Sequence, residues 1–421
     1  MANIERVIGR QVWDSRGRPA VEAEIWASGD ITARAIAPTP ARPQAAAAKA
    51  LYDGGKTFEG FGVSQAVQKF ENEIEPALAG LDVRDQEAID RRLIALDGRP
   101  DKSRLGVNAI LSVSLACIKA GAKANEVALW EHVARGRKIT KALVPVVELF
   151  RIESSGLAHA GLDVRAISLL PLDAPDFTTA LDWASEAVRV SRGILSASQS
   201  GLGLTSMGSQ ALDADSAEEA LALAIRAIER AGLQPGEDMA LAVDAGANGF
   251  GRAGRYLIGR EATALPTGDM ISRVLGWLRR YPIHSLTDPL AEDDLAGIAH
   301  LTEVAGKGIT IAGGDVLISN PARIAACAKS GAFNAVELRL SDQGTLTELG
   351  EAVEAARAAG FSITITAEAG EGASGVLAHL ALAYGADWLA AGGLAGGERI
   401  SIWNEALRLS EHAIAGPSAI I

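Results

Sequence analysis

Glu337 and Arg339 are two opposite charges spaced to share one side of a strand. In Asn334–Ala335–Val336–Glu337–Leu338–Arg339–Leu340, the aliphatic residues Val336, Leu338 and Leu340 alternate with the two charges. That is the period of two expected of a strand with distinct faces. A guanidinium stays protonated at any relevant pH, so Arg339 can hold an anion but cannot remove a proton. If buried, it needs carboxylate partners whatever its role. Two readings follow: a polar pocket that grips a small anionic ligand, or internal ion pairs that fill the pocket with the protein's own charges. Among the histidines, His132, His284, His300, His379 and His412 fall in helix or strand patterns without ligand spacing. Cys117 and Cys327 are too far apart in sequence to form a ligand set, so two reduced core thiols are expected. Gly392–Gly393 and Gly396–Gly397 frame a segment that could cradle a phosphate or simply close a loop.

The elements around Arg339 indicate how it is positioned. Thr345 and Glu348 form a capping box, Leu346, Leu349 and Val353 follow at helical spacing, and Gly360 ends the helix. A strand with one charged and one aliphatic face, followed by a helix, suits a β/α barrel, and Arg339 would sit at the carboxyl end where barrel enzymes place their chemistry. From Val144 onward, strands are expected at 144–150, 164–170, 239–244, 283–287, 308–312, 334–340, 361–366 and 387–390. Helices are expected at 177–196, 216–231, 268–280, 320–330, 345–359, 372–385 and 398–413. Eight strands make a barrel. The first two are joined by little more than a loop, so they should pair antiparallel. Before the barrel, residues 5–36 read as a β-meander and 38–43 as a proline-rich loop, with helical patterns at 44–53, 63–78, 84–95 and 108–124. The polar break Arg135–Lys138 divides an α+β domain, 1–136, from the barrel, 137–421.

The 421-residue chain carries a net charge of −12, which weighs against nucleic acid or an anionic membrane as partner. No apolar run is long enough to span a bilayer. The first ten residues lack a secretory pattern, so a cytoplasmic protein is expected.

Several long strings resemble enolase, the glycolytic phosphopyruvate hydratase family. They are Ile8–Arg10, Asp14–Pro19, Leu96–Gly98, Gly106–Ala116, Asp288–Asp294 and Gln343–Glu348. The resemblance implies an α/β fold of enolase type: a meander-plus-helices domain, then a modified TIM-type barrel with an antiparallel second strand. It also implies a homodimer, or a heteromer with an intact enolase. The family converts 2-phosphoglycerate to phosphoenolpyruvate and water: a lysine removes a proton alpha to a carboxylate, two Mg2+ ions stabilise the enediolate and a glutamate protonates the departing hydroxyl.

Carried over residue by residue, the resemblance erases that machinery. The lysine base falls on Arg339, the two catalytic glutamates on Met207 and Ala166, and the substrate-gripping histidine, arginine and lysine on Ala367, Glu368 and Ala390. The loop histidine falls on Leu157, with His159 two residues on. Of three metal carboxylates only Asp244 remains, the others being Thr287 and Gly314. One carboxylate does not satisfy a hard dication that needs about six oxygens, so no cofactor is expected. In the mobile lid Thr39 keeps a hydroxyl, while extra prolines stiffen the segment. The candidate pocket is therefore Thr39, His159, Asp244, Asp315, Glu337, Arg339 and Glu368. The sequence points to a pseudoenzyme that binds rather than converts. An altered, metal-independent chemistry on an anionic ligand and residual hydratase activity are the alternatives.

Overall fold

The computed structural model describes residues 2–40, 46–139, 141–152, 163–198, 201–258 and 263–413. Three strands open the chain: β1 (Ile4–Trp13), β2 (Pro19–Ala27) and β3 (Ile31–Ile36), paired antiparallel in that order. On β2 the inward residues Val21, Ala23 and Ile25 are fully buried, while Glu22, Glu24 and Trp26 face outward. The buried face is covered by the helix Val107–Ala124, which packs on β2 and β3. By length and composition this is a helix that could cross a membrane, but 83% of it is buried inside the protein, as a core helix is.

Eight strands then close a barrel. They are, in order, Val144–Ile152, Ala166–Pro171, Met239–Asp244, Ile283–Thr287, Thr310–Gly313, Ala335–Leu338, Ser362–Thr366 and Trp388–Gly392. The second strand is antiparallel to both neighbours, and all other barrel pairings are parallel, including the closing pair of eighth with first. The expected irregular start is therefore present.

Side chains alternate around the wall as the sequence implies. Val336 and Leu338 join the main core under the helix ring. A second cluster of Val144, Val146 and Leu170, with Leu172, Ala242, Trp388 and Ala390, is formed from the opposite faces of its strands. That apolar plug fills the lower interior and leaves the polar groups at the carboxyl end of the strands.

Three local expectations are corrected. Residues 46–53 are not helical: Ala48 donates to the Asp342 carbonyl, Lys49 to Asp101 and Leu51 to the Asn108 side chain. Their backbone groups are satisfied across the fold, which overrides the helix propensity of the alanines. A helix at Leu295–Ala305, capped by Asp294, lies where none is expected. So does the hairpin Gly201–Leu204 with Gln210–Leu212, whose second strand extends the sheet beside the first barrel strand.

The two domains are pinned together at the start of helix Leu346–Ala358. Asp90, fully buried, accepts from the Thr347 backbone at 2.9 Å and hydroxyl at 2.7 Å, and from Gln86 at 2.9 Å. Nearby, buried Lys102 pairs with Glu348 at 2.7 Å. Burial pushes the Asp90 carboxyl up to about 6, against the donors that favour its charge. Truncation would strand several buried donors, whereas an amide would keep an acceptor. We therefore expect Asp90→Ala to cost about 2–4 kcal/mol and Asp90→Asn clearly less, measured by denaturant unfolding.

Candidate functional site

The sixth strand delivers Glu337 to the barrel interior and Arg339 just beyond its end, with Leu338 facing outward between them. The chain ending the second strand's approach delivers another guanidinium, Arg165, whose amide donates to the Asp244 carbonyl at 2.7 Å. The two arginines meet on one carboxylate. Arg165 Nη1 donates to Asp315 Oδ2 at 2.8 Å, and Arg339 Nη1 donates to Asp315 Oδ1 at 2.8 Å. Arg165 Nε also donates to Asp244 Oδ2 at 2.6 Å, and Arg339 Nη2 to Glu337 Oε2 at 3.3 Å. Thr287 completes the chain by donating to Glu337 Oε1 at 2.7 Å. The order Asp244–Arg165–Asp315–Arg339–Glu337–Thr287 is a continuous run of charge-assisted hydrogen bonds.

Two glycines make room for it. A Cβ on Gly314 would lie 3.0 Å from Arg339 Nη2 and 3.2 Å from Glu337 Oε2. A Cβ on Gly246, at φ +58°, would lie 2.9 Å from Arg165 Nε. Beneath them Asp288 accepts from the Gly314 and Asp315 amides at 3.0 and 2.7 Å.

Protonation follows this geometry. Burial alone would raise the Asp315 carboxyl, but Arg165 and Arg339 outweigh it and hold it well below the usual range. Both guanidiniums are held even more firmly in their charged form: burial opposes this, and the neighbouring carboxylates prevail. Asp288 goes the other way, pushed up to about 8 by burial and then by Asp315. Glu337 is raised too, by burial first, with Arg339 only partly offsetting it. A third of the Arg165 side chain, 34%, reaches solvent, so its contribution is the more screened.

A second polar layer sits above. Glu368 accepts a very short hydrogen bond from Ser341, and its amide donates to Glu371 at 2.9 Å. Asp342 accepts from Ser319 at 2.7 Å. Burial pushes Asp342 and Glu371 up to about 7, although Arg339 and Arg399 respectively oppose this. Arg399 is wholly buried, with Nη2 donating to the Ser206, Glu368 and Ala369 carbonyls.

Of the residues singled out from sequence, Asp244, Asp315, Glu337 and Arg339 are brought into one network with Thr287 and Gly314. Glu368 lies in the layer above and near enough to Arg339 to act on it electrostatically. Thr39 is at the domain junction: its hydroxyl bonds Asp14 at 2.9 Å and Arg16 at 2.6 Å, and its backbone pairs with Gly370. Ala166 sits on the second strand opposite Asp244, Ala367 is buried after the seventh, and Ala390 belongs to the apolar plug. Met207 lies in the hairpin loop, where its carbonyl accepts from Gly393 at 2.8 Å. A Cβ on Gly392 or Gly393 would meet the Met207–Gly208 backbone at 2.4 or 2.3 Å, so these glycines serve close packing rather than a phosphate. Leu157 and His159 lie outside the described residues. Arg165, Asp288, Asp342 and Arg399 are absent from the sequence-based set. Arg165 was accessible to it, because it stands beside Ala166 in a string matched to the family.

The donor set does not fit a divalent ion. Asp315 has both oxygens committed to guanidiniums, Glu337 has both committed to Thr287 and Arg339, and Asp244 offers only Oδ1, a buried atom without a hydrogen-bond partner. Two fixed positive charges beside that single oxygen would repel a dication by several kcal/mol at an effective dielectric of about 20. Among the described residues no cluster of ligating side chains is arranged around a common centre.

Residues 4–133 match the model for the enolase amino-terminal domain, and residues 141–418 match that for the enolase carboxyl-terminal TIM barrel domain. The chain is also 36% identical over 411 residues to a protein named Enolase 2 from Methanospirillum hungatei JF-1, spanning 97% of this chain and 95% of that one.

The upper layer generates a pH dependence. Asp342 and Glu371 have native pKa values raised above their unfolded ones, so the stability they contribute is full below about pH 4 and is lost as pH rises through about 7. Melting temperature should fall between pH 5 and pH 8. Asp342→Asn should flatten that fall by about 1–3 kcal/mol, read by thermal unfolding across that range.

Proposed function

The chain belongs to the enolase family, and from that premise we propose that it keeps the family scaffold without the family reaction, as a binding protein rather than a hydratase. The observation that carries this reading is the double clamp on Asp315. Arg339 stands where the family has its lysine base, is held charged by Asp315 and Glu337, and so cannot accept a proton. Arg165 occupies Asp244, the one carboxylate remaining from the family's metal set. Met207, Ala166 and Ala390 supply no acid, base or grip.

Each loss typically costs ~10²–10⁴ in rate, and groups that act together do not fail independently. A carbon acid alpha to a carboxylate yields its proton only to a positioned base while its second negative charge is neutralised. Neither condition is met by these side chains. Altered chemistry on an anion would need a cation to receive it, and Arg165 and Arg339 are each already paired with two of the protein's own carboxylates, which weakens their pull on an outside anion.

We also propose a second copy of this chain as the partner, paired through the amino-terminal meander. Trp26, 44% exposed, shares the outward face of the sheet with the ion pairs of Arg10 with Glu22 and Glu24, and Trp13 is 55% exposed at the strand end. Tryptophan and arginine are among the residue types enriched in protein–protein contacts, and the two glutamates suit the polar rim of one. Sedimentation at micromolar concentration should give a dimer that Trp26→Glu dissociates; a monomeric parent protein would count against the pairing.

The activity reading is tested with purified protein, 2-phosphoglycerate and Mg2+. Phosphoenolpyruvate, followed by absorbance, should not form above an enzyme-free control. Turnover that disappears in Asp244→Ala would refute the reading.

A further inference from the structure

We propose that Arg165 and Arg339 are built-in cations, replacing bound divalent ions as the charges that hold the carboxylates at the barrel mouth together. The inference rests on the reading that this mouth does not house the ions of the family reaction, and it extends that reading from a loss to a replacement.

Four carboxyl groups, those of Asp244, Asp288, Asp315 and Glu337, converge within one interior, and bringing them together unneutralised would be costly. The structure offsets this with two fixed positive charges, each touching two acids: Arg165 bonds Asp244 and Asp315, and Arg339 bonds Asp315 and Glu337. Asp288 takes no guanidinium and is satisfied instead by two backbone amides.

The fit is specific on three sides. Gly314 and Gly246 leave the volume the guanidiniums fill, as the 3.0 and 2.9 Å approaches of a notional Cβ show. Thr287 offers a hydroxyl donor to Glu337, where an acid would have repelled it. Asp244 keeps one oxygen, Oδ1, buried and unpartnered, pointing to a carboxylate arranged for more positive charge than a single Nε–H supplies. Removing Arg165 would release Asp244 Oδ2 and Asp315 Oδ2 next to that oxygen, giving three oxygens from two residues plus neighbouring Asp288. That begins to resemble a hard-cation site, which water can complete.

A merely structural ion pair and a cation replacement differ in one readout: whether an added dication compensates for the missing arginine. The experiment measures melting temperature of the full chain with and without millimolar Mg2+ or Mn2+, at constant ionic strength, together with Mn2+ binding by electron paramagnetic resonance. The parent protein should show no shift and no bound Mn2+. Arg165→Gln should melt lower and recover with either ion, by on the order of 3–5 °C at saturation, and should bind Mn2+. Arg165→Lys keeps the charge and should show no recovery. Arg165→Gln combined with Asp244→Asn should lose the response.

A parent protein that is stabilised by Mg2+ through Asp244 would overturn the proposal, as would an equal response in the lysine variant. Absence of any cation response in soluble Arg165→Gln would overturn it too. If Arg165→Gln does not fold, Arg339→Gln is put to the same test, and the parent and lysine arms still decide. These outcomes are independent of phosphoenolpyruvate formation: a cation-responsive parent without turnover would sink this inference and leave the activity reading standing.

Discussion

Asp315 accepts a guanidinium on each of its two oxygens, and that arrangement decides what the interior of this barrel can do. A carboxylate bonded on both sides by cations is fixed in position and stays ionised. The two arginines are each fixed in turn by a second acid, Arg165 by Asp244 and Arg339 by Glu337. Burial, and then the charge of Asp315, pushes Asp288 towards its neutral form.

Everything around this bridge serves to position it. The apolar plug of Val144, Val146, Leu170 and Trp388 supports the polar layer from below and keeps the lower barrel closed. Above, Glu368 accepts from Ser341 and Asp342 accepts from Ser319, so both carboxyl groups are held by side chains of the protein. The hairpin loop of Met207 packs its backbone into the glycines after the eighth strand, and buried Arg399 ties three carbonyls across the same edge.

Much of this was legible in the sequence, for reasons that can be stated residue by residue. The sixth barrel strand announces itself because Val336 and Leu338 alternate with Glu337. The antiparallel second strand is expected because little more than a loop separates the first two strand patterns, and the pairing is antiparallel on both sides. The helix expected at 44–53 is absent over 46–53 because an alanine run carries propensity only, and tertiary acceptors at Asp101, Asn108 and Asp342 claimed that backbone. The hairpin at 201–212 is short, glycine-rich and half exposed, so neither periodicity is visible in it. In the site, alternation placed Glu337 with Arg339, but which of the two open readings held depended on Arg165. Its role depends on a contact across 150 residues of sequence with Asp315, and no local pattern encodes that.

Gly314 ties two distant positions of the chain to one another. A Cβ there would lie 3.0 Å from the Arg339 guanidinium and 3.2 Å from Glu337, so any side chain at 314 requires those charged groups to give way by a few tenths of an ångström. What position 314 tolerates therefore depends on what stands at 339, and the effects of substitutions at the two positions should not add.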